Sequence, residues 1–105
     1  MLRVYKRVAS RRDLVEHYVY LAENVGEETA ERFLAQAELT FNTLAQKPEL
    51  GAPVALQHAQ LANLRKWRVK EFEKFLIFYL PRSDGISIVR VMHAAQDWWG
   101  HLGVV

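Results

Sequence analysis

The 105-residue sequence contains no cysteine, which excludes disulfide bonds and thiolate metal sites and is typical of a reducing compartment. It also lacks a long apolar segment. Its longest apolar run, residues 75–80, is far shorter than the roughly 20 residues that cross a bilayer. The first residues are rich in arginine and lysine and contain no signal-peptide core. We therefore expect a cytoplasmic protein that has no membrane segment.

No repeat, low-complexity tract or linker divides the chain, so we expect a single domain over residues 1–105. Charge is distributed unevenly along it. Residues 1–12 carry +5, residues 13–50 carry −6, and residues 51–105 carry +3. An acidic middle flanked by basic ends predicts a fold with one acidic and one basic side, if the two ends meet.

Two helices are predicted in the first half of the chain. Ser10 and Asp13 have the spacing of a capping box, and apolar residues then follow at helical intervals up to Gly26. A second helix begins at Glu27 and ends before Pro48. Its apolar positions are Ala30, Phe33, Leu34, Ala37, Phe41, Leu44 and Ala45. A connection this short predicts an antiparallel helical hairpin.

Strand patterns occupy the two ends of the sequence. Residues 2–7 alternate between apolar and polar, and three further strand-like segments follow a loop that contains Pro48, Gly51 and Pro53. Asp84 and Gly85 mark a turn between the last two of them. The predicted fold is α+β with the order βααβββ, in which the helical hairpin packs on one face of a small antiparallel sheet.

The last strand raises the question of which face lies open. Strict alternation places Arg90 on the face opposite to His93. A helical hairpin can cover one face only, and the sequence does not fix the register that decides which face this is. The simplest interpretation puts Arg90 on the open face, together with Arg3 or Arg7 and a basic stripe. That stripe consists of Lys66, Arg68 and Lys70.

Segments 64–97 (LRKWRVKEFEKFLIFYLPRSDGISIVRVMHAAQD) and 9–22 (ASRRDLVEHYVYLA), in this element order, resemble the ParE branch of the RelE/ParE toxin superfamily. The resemblance covers nearly the whole chain. It is sharpest at residues 64–65, at residues 76–79, and from Arg90 through His93 to Asp97. Three positions depart from the common ParE pattern: Leu80, Ala94 and Gln96.

The resemblance implies the toxin component of a type II toxin–antitoxin system. Such toxins arrest growth, contribute to plasmid stabilisation and are neutralised by a ParD-like antitoxin. ParE-like members poison DNA gyrase without enzymatic activity, whereas RelE-like members cut mRNA on the ribosome. We expect gyrase as the target, with a metal-independent ribonuclease and a retargeted member as alternatives. The basic residues Arg65, Lys66, Arg68 and Lys70 would form the antitoxin-binding face.

Two chemical alternatives follow from the residues themselves. A metal-independent ribonuclease needs an acid or base and cations for the phosphate, roles open to His93, Arg90 and Arg65. His93, Asp97 and His101 have helical spacing for a metal, but no signature accompanies them. We expect no metal and no cofactor.

Trp98 and Trp99 stand directly after the last strand. Adjacent side chains in a helix point about 100° apart, so one tryptophan can pack on the sheet while the other faces outward. An exposed tryptophan beside a basic face is typical of a binding hot spot. We expect Arg90, His93, Asp97, Trp98 and Trp99 to contact the target, although a purely structural lid remains open.

Overall fold

The computed structural model describes residues 2–55 and 61–95. In chain order the elements are β1 (Arg3–Lys6), α1 (Val8–Asn24), α2 (Glu27–Gln46), a 3-10 turn (Pro48–Leu50), β2 (Ala52–Pro53), β3 (Arg65–Val69), β4 (Phe72–Arg82) and β5 (Gly85–His93). The two helices pack on a five-stranded sheet with the strand order β1-β5-β4-β3-β2. The predicted α+β class and βααβββ order are confirmed, and the two-residue β2 is an addition from the predicted loop.

The sheet is antiparallel except at one edge. β1 runs parallel to β5, with Arg3 opposite Gly85 and Lys6 opposite Ile88. The β2–β3, β3–β4 and β4–β5 pairs are antiparallel. Strands joined by tight turns must reverse direction, whereas β1 is separated from β5 by most of the chain and no turn constrains it. The sheet is therefore mixed where the sequence predicted an antiparallel one.

The connection between the two helices lies at Gly26 as predicted, but α1 begins before the predicted start at Ser10. Its N-terminal residue is Val8, so Ser10 lies within the first turn and its hydroxyl donates to the Arg7 carbonyl at 2.7 Å. Asp13 contacts β5 instead of the start of the helix. The predicted capping box is therefore wrong.

A main core fills the space between the helices and one face of the sheet. α2 buries six of its seven predicted apolar positions there, and Leu34 is half-buried at the margin. The sheet contributes Val69, Phe75, Ile77, Tyr79, Ile86, Ile88 and Val91. From α1, Leu21 is buried, while Leu14, Tyr18 and Ala22 pack at the edge of the core.

A second apolar cluster lies on the other face of the sheet. It contains Val54, Leu61, Leu64, Phe78, Val89 and Met92, with Leu76 and Leu80 packed against it. Residues on both sides of the undescribed segment 56–60 therefore pack on the sheet. The centre of the face opposite the helices is therefore a second buried core, and the prediction of a basic open face is wrong there.

A β-bulge explains why alternation along β5 failed. Phe78 pairs with Arg90 but Tyr79 pairs with Ile88, which leaves Val89 without an opposite residue. Ile88 and Val91 consequently both face the helices, although they are three residues apart. One extra residue in a strand reverses the faces of all residues beyond it, and the apolar pattern does not reveal it.

Candidate functional site

Arg90 is held by a bidentate ion pair to Asp13 of α1. Arg90 Nε and Nη2 donate to Asp13 Oδ2 and Oδ1, each at 2.7 Å. The same carboxylate accepts the Val91 backbone N–H at 2.9 Å. The Asp13 side chain is 6% exposed and the Arg90 side chain 18%. Arg90 lies opposite Phe78 of the second cluster, so the strand register places it on the face away from the helices, as predicted. Its guanidinium, however, is bound to Asp13 of α1 and is not grouped with the basic stripe.

The electrostatics of this pair favour the charged guanidinium of Arg90. The hydrogen bonds from Arg90 to Asp13 raise the pKa of the guanidinium above its ordinary value, although partial burial acts in the opposite direction. Three hydrogen bonds to one carboxylate fix the start of α1 against β5. This position of Asp13 was missed at the sequence level, where it was assigned to a helix cap.

His93 ends β5 beside an aromatic group on the same side of the sheet as α1. Its ring meets the Phe75 ring edge-on, with centroids 5.1 Å apart, and His17 meets Phe75 at 4.9 Å. His93 Nδ1 accepts the Ala95 N–H at 3.1 Å, so the proton of the neutral ring lies on Nε2. His17 Nε2 contacts the Val91 carbonyl at 2.7 Å, which makes Nε2 the donor. Sequence analysis gave His17 no role.

These rings border an open cavity of about 400 Å³ at the end of the sheet. It is lined by Glu16, His17, Tyr20, Phe75, His93 and Ala95. Arg90 is absent from this lining, because its guanidinium is turned to Asp13. Neither Arg65 nor another described arginine lines this cavity. Among the described residues, the cavity therefore offers an acid or base without the cation that phosphate cleavage requires.

Arg65 belongs to a different part of the molecule. Its Nη1 donates to the Gly51 carbonyl at 2.6 Å and to the Glu49 carbonyl at 3.2 Å. Arg65 pairs with Tyr79 on β4, whereas His93 pairs with Phe75, four residues away. At about 3.4 Å per residue, the two sites lie roughly 13 Å apart along the strand. Arg65, Arg90 and His93 thus do not converge on one site.

Tyr79 completes the group around Arg65. Its hydroxyl donates to the Pro48 carbonyl at 2.6 Å and accepts the Gly51 N–H at 2.8 Å. Burial raises the pKa of the Tyr79 hydroxyl above its ordinary value of 10.0. A Cβ at Gly51 would clash with the Tyr79 ring, so glycine is needed where the loop crosses the strand. Arg65 and Tyr79 hold residues 48–51 in place.

The predicted basic stripe borders the second apolar cluster. Lys66 pairs with Phe78 and Arg68 with Leu76, which places these residues on the face opposite the helices. The Arg68 guanidinium reaches around the strand and lies 4.5 Å from the Trp67 ring centroid. Lys70 lies beyond the end of β3, where its N–H donates to Thr40 Oγ1 of α2 at 3.1 Å. The stripe therefore lies beside the second apolar cluster. We call Lys66, Arg68 and Lys70 the β3 margin.

A groove of about 260 Å³ runs between this margin and α2. Its lining residues are Leu39, Thr40, Thr43, Trp67, Arg68 and Lys70. Trp67 and Val69 also belong to the core on the helix side. The groove therefore combines an aromatic side chain, an exposed leucine and two cations.

Several predicted residues lie outside the described part of the chain: Gln96, Asp97, Trp98, Trp99 and His101. Their predicted contacts with a target or a metal stay predictions. Within residues 2–55 and 61–95, no three histidine or acidic side chains are grouped as metal ligands. No helix in these same ranges is long and apolar enough to cross a membrane.

The fold and site define a small α+β domain with a buried Asp–Arg pair, without a converged catalytic group among the described residues. Residues 5–98 match the family model of the ParE toxin of the type II toxin–antitoxin system, parDE. Because this match spans most of the chain, the protein belongs to the ParE toxin family.

The structural comparison agrees with this assignment at the level of the fold. A solved structure described as the chromosomal ParDE TA system from P. aeruginosa superposes with a TM-score of 0.70 and 17% sequence identity. The match covers 89% of this chain and 96% of that chain. Comparison with curated proteins gives no significant match.

Proposed function

We propose that this ParE-family toxin acts in the cytoplasm by binding and inhibiting DNA gyrase, without catalysing a reaction itself. The observation that carries the proposal is the family match over residues 5–98. The geometry supports it, because the three residues suited to ribonuclease chemistry are separated: Arg90 is bound to Asp13, Arg65 holds the loop at Gly51, and His93 lies at the other end of the strand.

The neutralising partner is a ParD-like antitoxin with an acidic, partly apolar docking segment. Its binding surface is the β3 margin, formed by Lys66, Arg68 and Lys70. Arg68 lies opposite the half-buried Leu76, and Arg68 and Lys70 line the groove against α2. β2 pairs with β3 only at Arg65 and Lys66, and no other described strand covers the outer edge at Trp67–Val69. An extended segment that orders on binding can add to this edge while its acidic side chains meet the cations.

Induction of the toxin in cells tests the target. The gyrase proposal requires growth arrest with inhibited supercoiling and intact mRNA, and relief when the antitoxin is co-expressed. Ribosome-dependent mRNA cleavage that is lost in His93→Ala would instead identify a ribonuclease. Arrest without either effect would identify a third target.

The same assay tests the two tryptophans that follow the last strand. Trp98→Ala and Trp99→Ala are each scored for growth arrest, melting temperature and antitoxin binding. If one tryptophan contacts the target, its loss abolishes arrest while the melting temperature stays near that of the wild type. Lower stability in both variants, with full toxicity per folded molecule, would show that the tail is structural.

A further inference from the structure

The edge strand β1 presents alternate residues to opposite faces of the sheet. Val4 packs on the main core, and Lys6 Nζ donates to Glu38 Oε1 of α2 at 2.7 Å, so these two side chains face the helices. Because successive side chains in a strand alternate, Arg3 and Tyr5 face the other way. The side of β1 away from the helices therefore carries a cation and an aromatic ring.

Arg7 continues this pattern beyond the end of β1. Its backbone is extended, with φ −69° and ψ 157°, and its N–H donates to the Ile88 carbonyl of β5 at 3.1 Å. Its side chain therefore leaves the chain on the same face as those of Arg3 and Tyr5. At about 3.3 Å per residue, Arg3 and Arg7 are roughly 13 Å apart along the strand.

A third arginine, from the end of β4, lies over Tyr5. The Arg82 guanidinium is 4.3 Å from the Tyr5 ring centroid. The Tyr5 hydroxyl donates to Asp84 Oδ2 at 2.6 Å, and Asp84 Oδ1 lies 3.6 Å from Arg82 Nε. Because Tyr5 stands between Arg3 and Arg7 in the chain, these contacts place Arg82 between them. We call Arg3, Arg7 and Arg82 the arginine strip.

The positive charge of the arginine strip is largely uncompensated. Arg3 and Arg7 are exposed, and no carboxylate in the described part of the chain forms an ion pair with either. Exposed Arg11 adds a fourth guanidinium at the end of β1, where its Nε donates to the Lys6 carbonyl at 3.4 Å. Four arginines against the single carboxylate of Asp84 leave a net charge of +3.

The type and spacing of these cations suit phosphate groups. All four are arginines, whose guanidinium groups bind phosphate oxygens in pairs. Over the roughly 13 Å from Arg3 to Arg7, duplex DNA presents about eight phosphate charges. The β3 margin differs, because two of its three cations are lysines and it borders an apolar groove against α2. The two basic surfaces therefore suit different partners.

We propose that the arginine strip binds the phosphate backbone of duplex DNA held by gyrase, a step that rests on the proposed function. Contacts to phosphate carry no sequence information, so the strip accepts DNA of any sequence. It strengthens the binding of the toxin to gyrase when the enzyme carries DNA. The strip lies at the β1 edge of the sheet and the β3 margin near the opposite edge, so DNA and antitoxin contact separate surfaces.

Fluorescence anisotropy of a labelled DNA duplex measures this contact with the purified toxin. The wild type should bind with a dissociation constant of about 1–100 μM, and the logarithm of the association constant should fall with the logarithm of salt concentration with a slope of about −3. Arg3→Gln and Arg7→Gln should each reduce this slope by about 1. The matched controls, Lys47→Gln and Lys74→Gln, remove the same charge from exposed residues outside the strip and should leave the slope unchanged. Circular dichroism confirms that each variant is folded.

A supercoiling assay separates the DNA contact from the proposed function. The double variant Arg3→Gln/Arg7→Gln should require at least about tenfold more toxin for half-inhibition of gyrase, and should bind antitoxin like the wild type. A wild type that inhibits gyrase but does not bind the duplex, or a double variant that matches the lysine controls in both assays, would overturn the DNA site and leave the gyrase proposal intact. Binding of DNA through the strip without any effect on supercoiling would overturn the gyrase proposal instead. Tighter binding to an RNA duplex of the same sequence would assign the strip to RNA and contradict the inference.

Discussion

At the scale of single residues, the buried pair of Asp13 and Arg90 determines how the start of α1 meets β5. These residues are 77 positions apart, and each looks ordinary in the sequence. Arg90 would be assigned to an exposed face and Asp13 to a helix cap. Their pairing depends on the bulge in β5 and on the rotation of α1, which are fixed only when the elements pack. This is why the sequence identified Arg90 as a candidate site residue but did not predict which residue it contacts.

The ion pair gives the first prediction. Asp13→Ala leaves the Arg90 guanidinium and the Val91 N–H without their carboxylate, so the free energy of unfolding should fall by about 3 kcal/mol. Urea denaturation measures the change. Glu23→Ala, an exposed acidic residue near the other end of the same helix, is the control and should change stability by less than about 0.5 kcal/mol. Equal stability of the two variants would show that the pair does not hold α1.

Tyr79 gives a prediction that depends on pH. Burial favours the neutral phenol in the folded state, so its contribution is complete below the ordinary pKa of 10.0 and is lost as the pH rises above it. Tyr79→Phe should be less stable by about 1–2 kcal/mol at neutral pH, because the Gly51 N–H loses its acceptor. The difference between wild type and variant should narrow above pH 10.0. Tyr20→Phe, at an exposed tyrosine, is the control. If the difference in unfolding free energy between wild type and Tyr79→Phe does not change with pH, burial of the phenol is not its cause.

At the scale of elements, periodicity predicted both helices and the boundary between them. It succeeded because α2 is amphipathic and because Gly26 and Pro48 interrupt the pattern. The parallel edge formed by β1 was not predicted, since no local signal encodes a partner more than 80 residues away. Strict alternation along β5 also fails, because the bulge adds one unpaired residue and so places Ile88 on the helix side and Arg90 on the other side.

Gly85 tests how β1 is attached. Its φ of +148° is rare for other residues, and an added Cβ would overlap the Arg3 backbone. Gly85→Ala should therefore destabilise the protein by about 3 kcal/mol, from backbone strain and displacement of β1 together. Gly26→Ala is a close control, because its φ is +145° but nothing lies within 4 Å of its added Cβ. If thermal denaturation shows that Gly85→Ala and Gly26→Ala lower stability equally, the contact of Gly85 with β1 contributes nothing to stability.

The β3 margin tests the antitoxin surface. Arg68→Glu places a negative charge beside Trp67 and Lys70, so an acidic antitoxin should bind at least about tenfold more weakly, mainly through faster dissociation. Lys47→Glu makes the same change of charge on an exposed residue outside the groove and serves as the control. Surface plasmon resonance measures both. Equal affinities for the two variants would place the antitoxin elsewhere on the toxin.

At the scale of the whole molecule, the described residues form two separate surfaces besides the arginine strip: the basic margin along β3 and the cavity at the end of the sheet. The sheet carries one apolar core on each face, which leaves the two surfaces on a rigid frame. Such an arrangement suits a protein that acts by binding, since it can present separate partners with fixed surfaces.

The central claim is that this ParE-family toxin inhibits gyrase by binding. The most direct measurement is a supercoiling assay in which purified toxin is titrated against purified gyrase, without ribosomes. The account predicts inhibition that saturates with toxin concentration, persists in His93→Ala and is reversed by adding antitoxin. Full supercoiling at saturating toxin, from a preparation that still arrests growth when produced in cells, would contradict it.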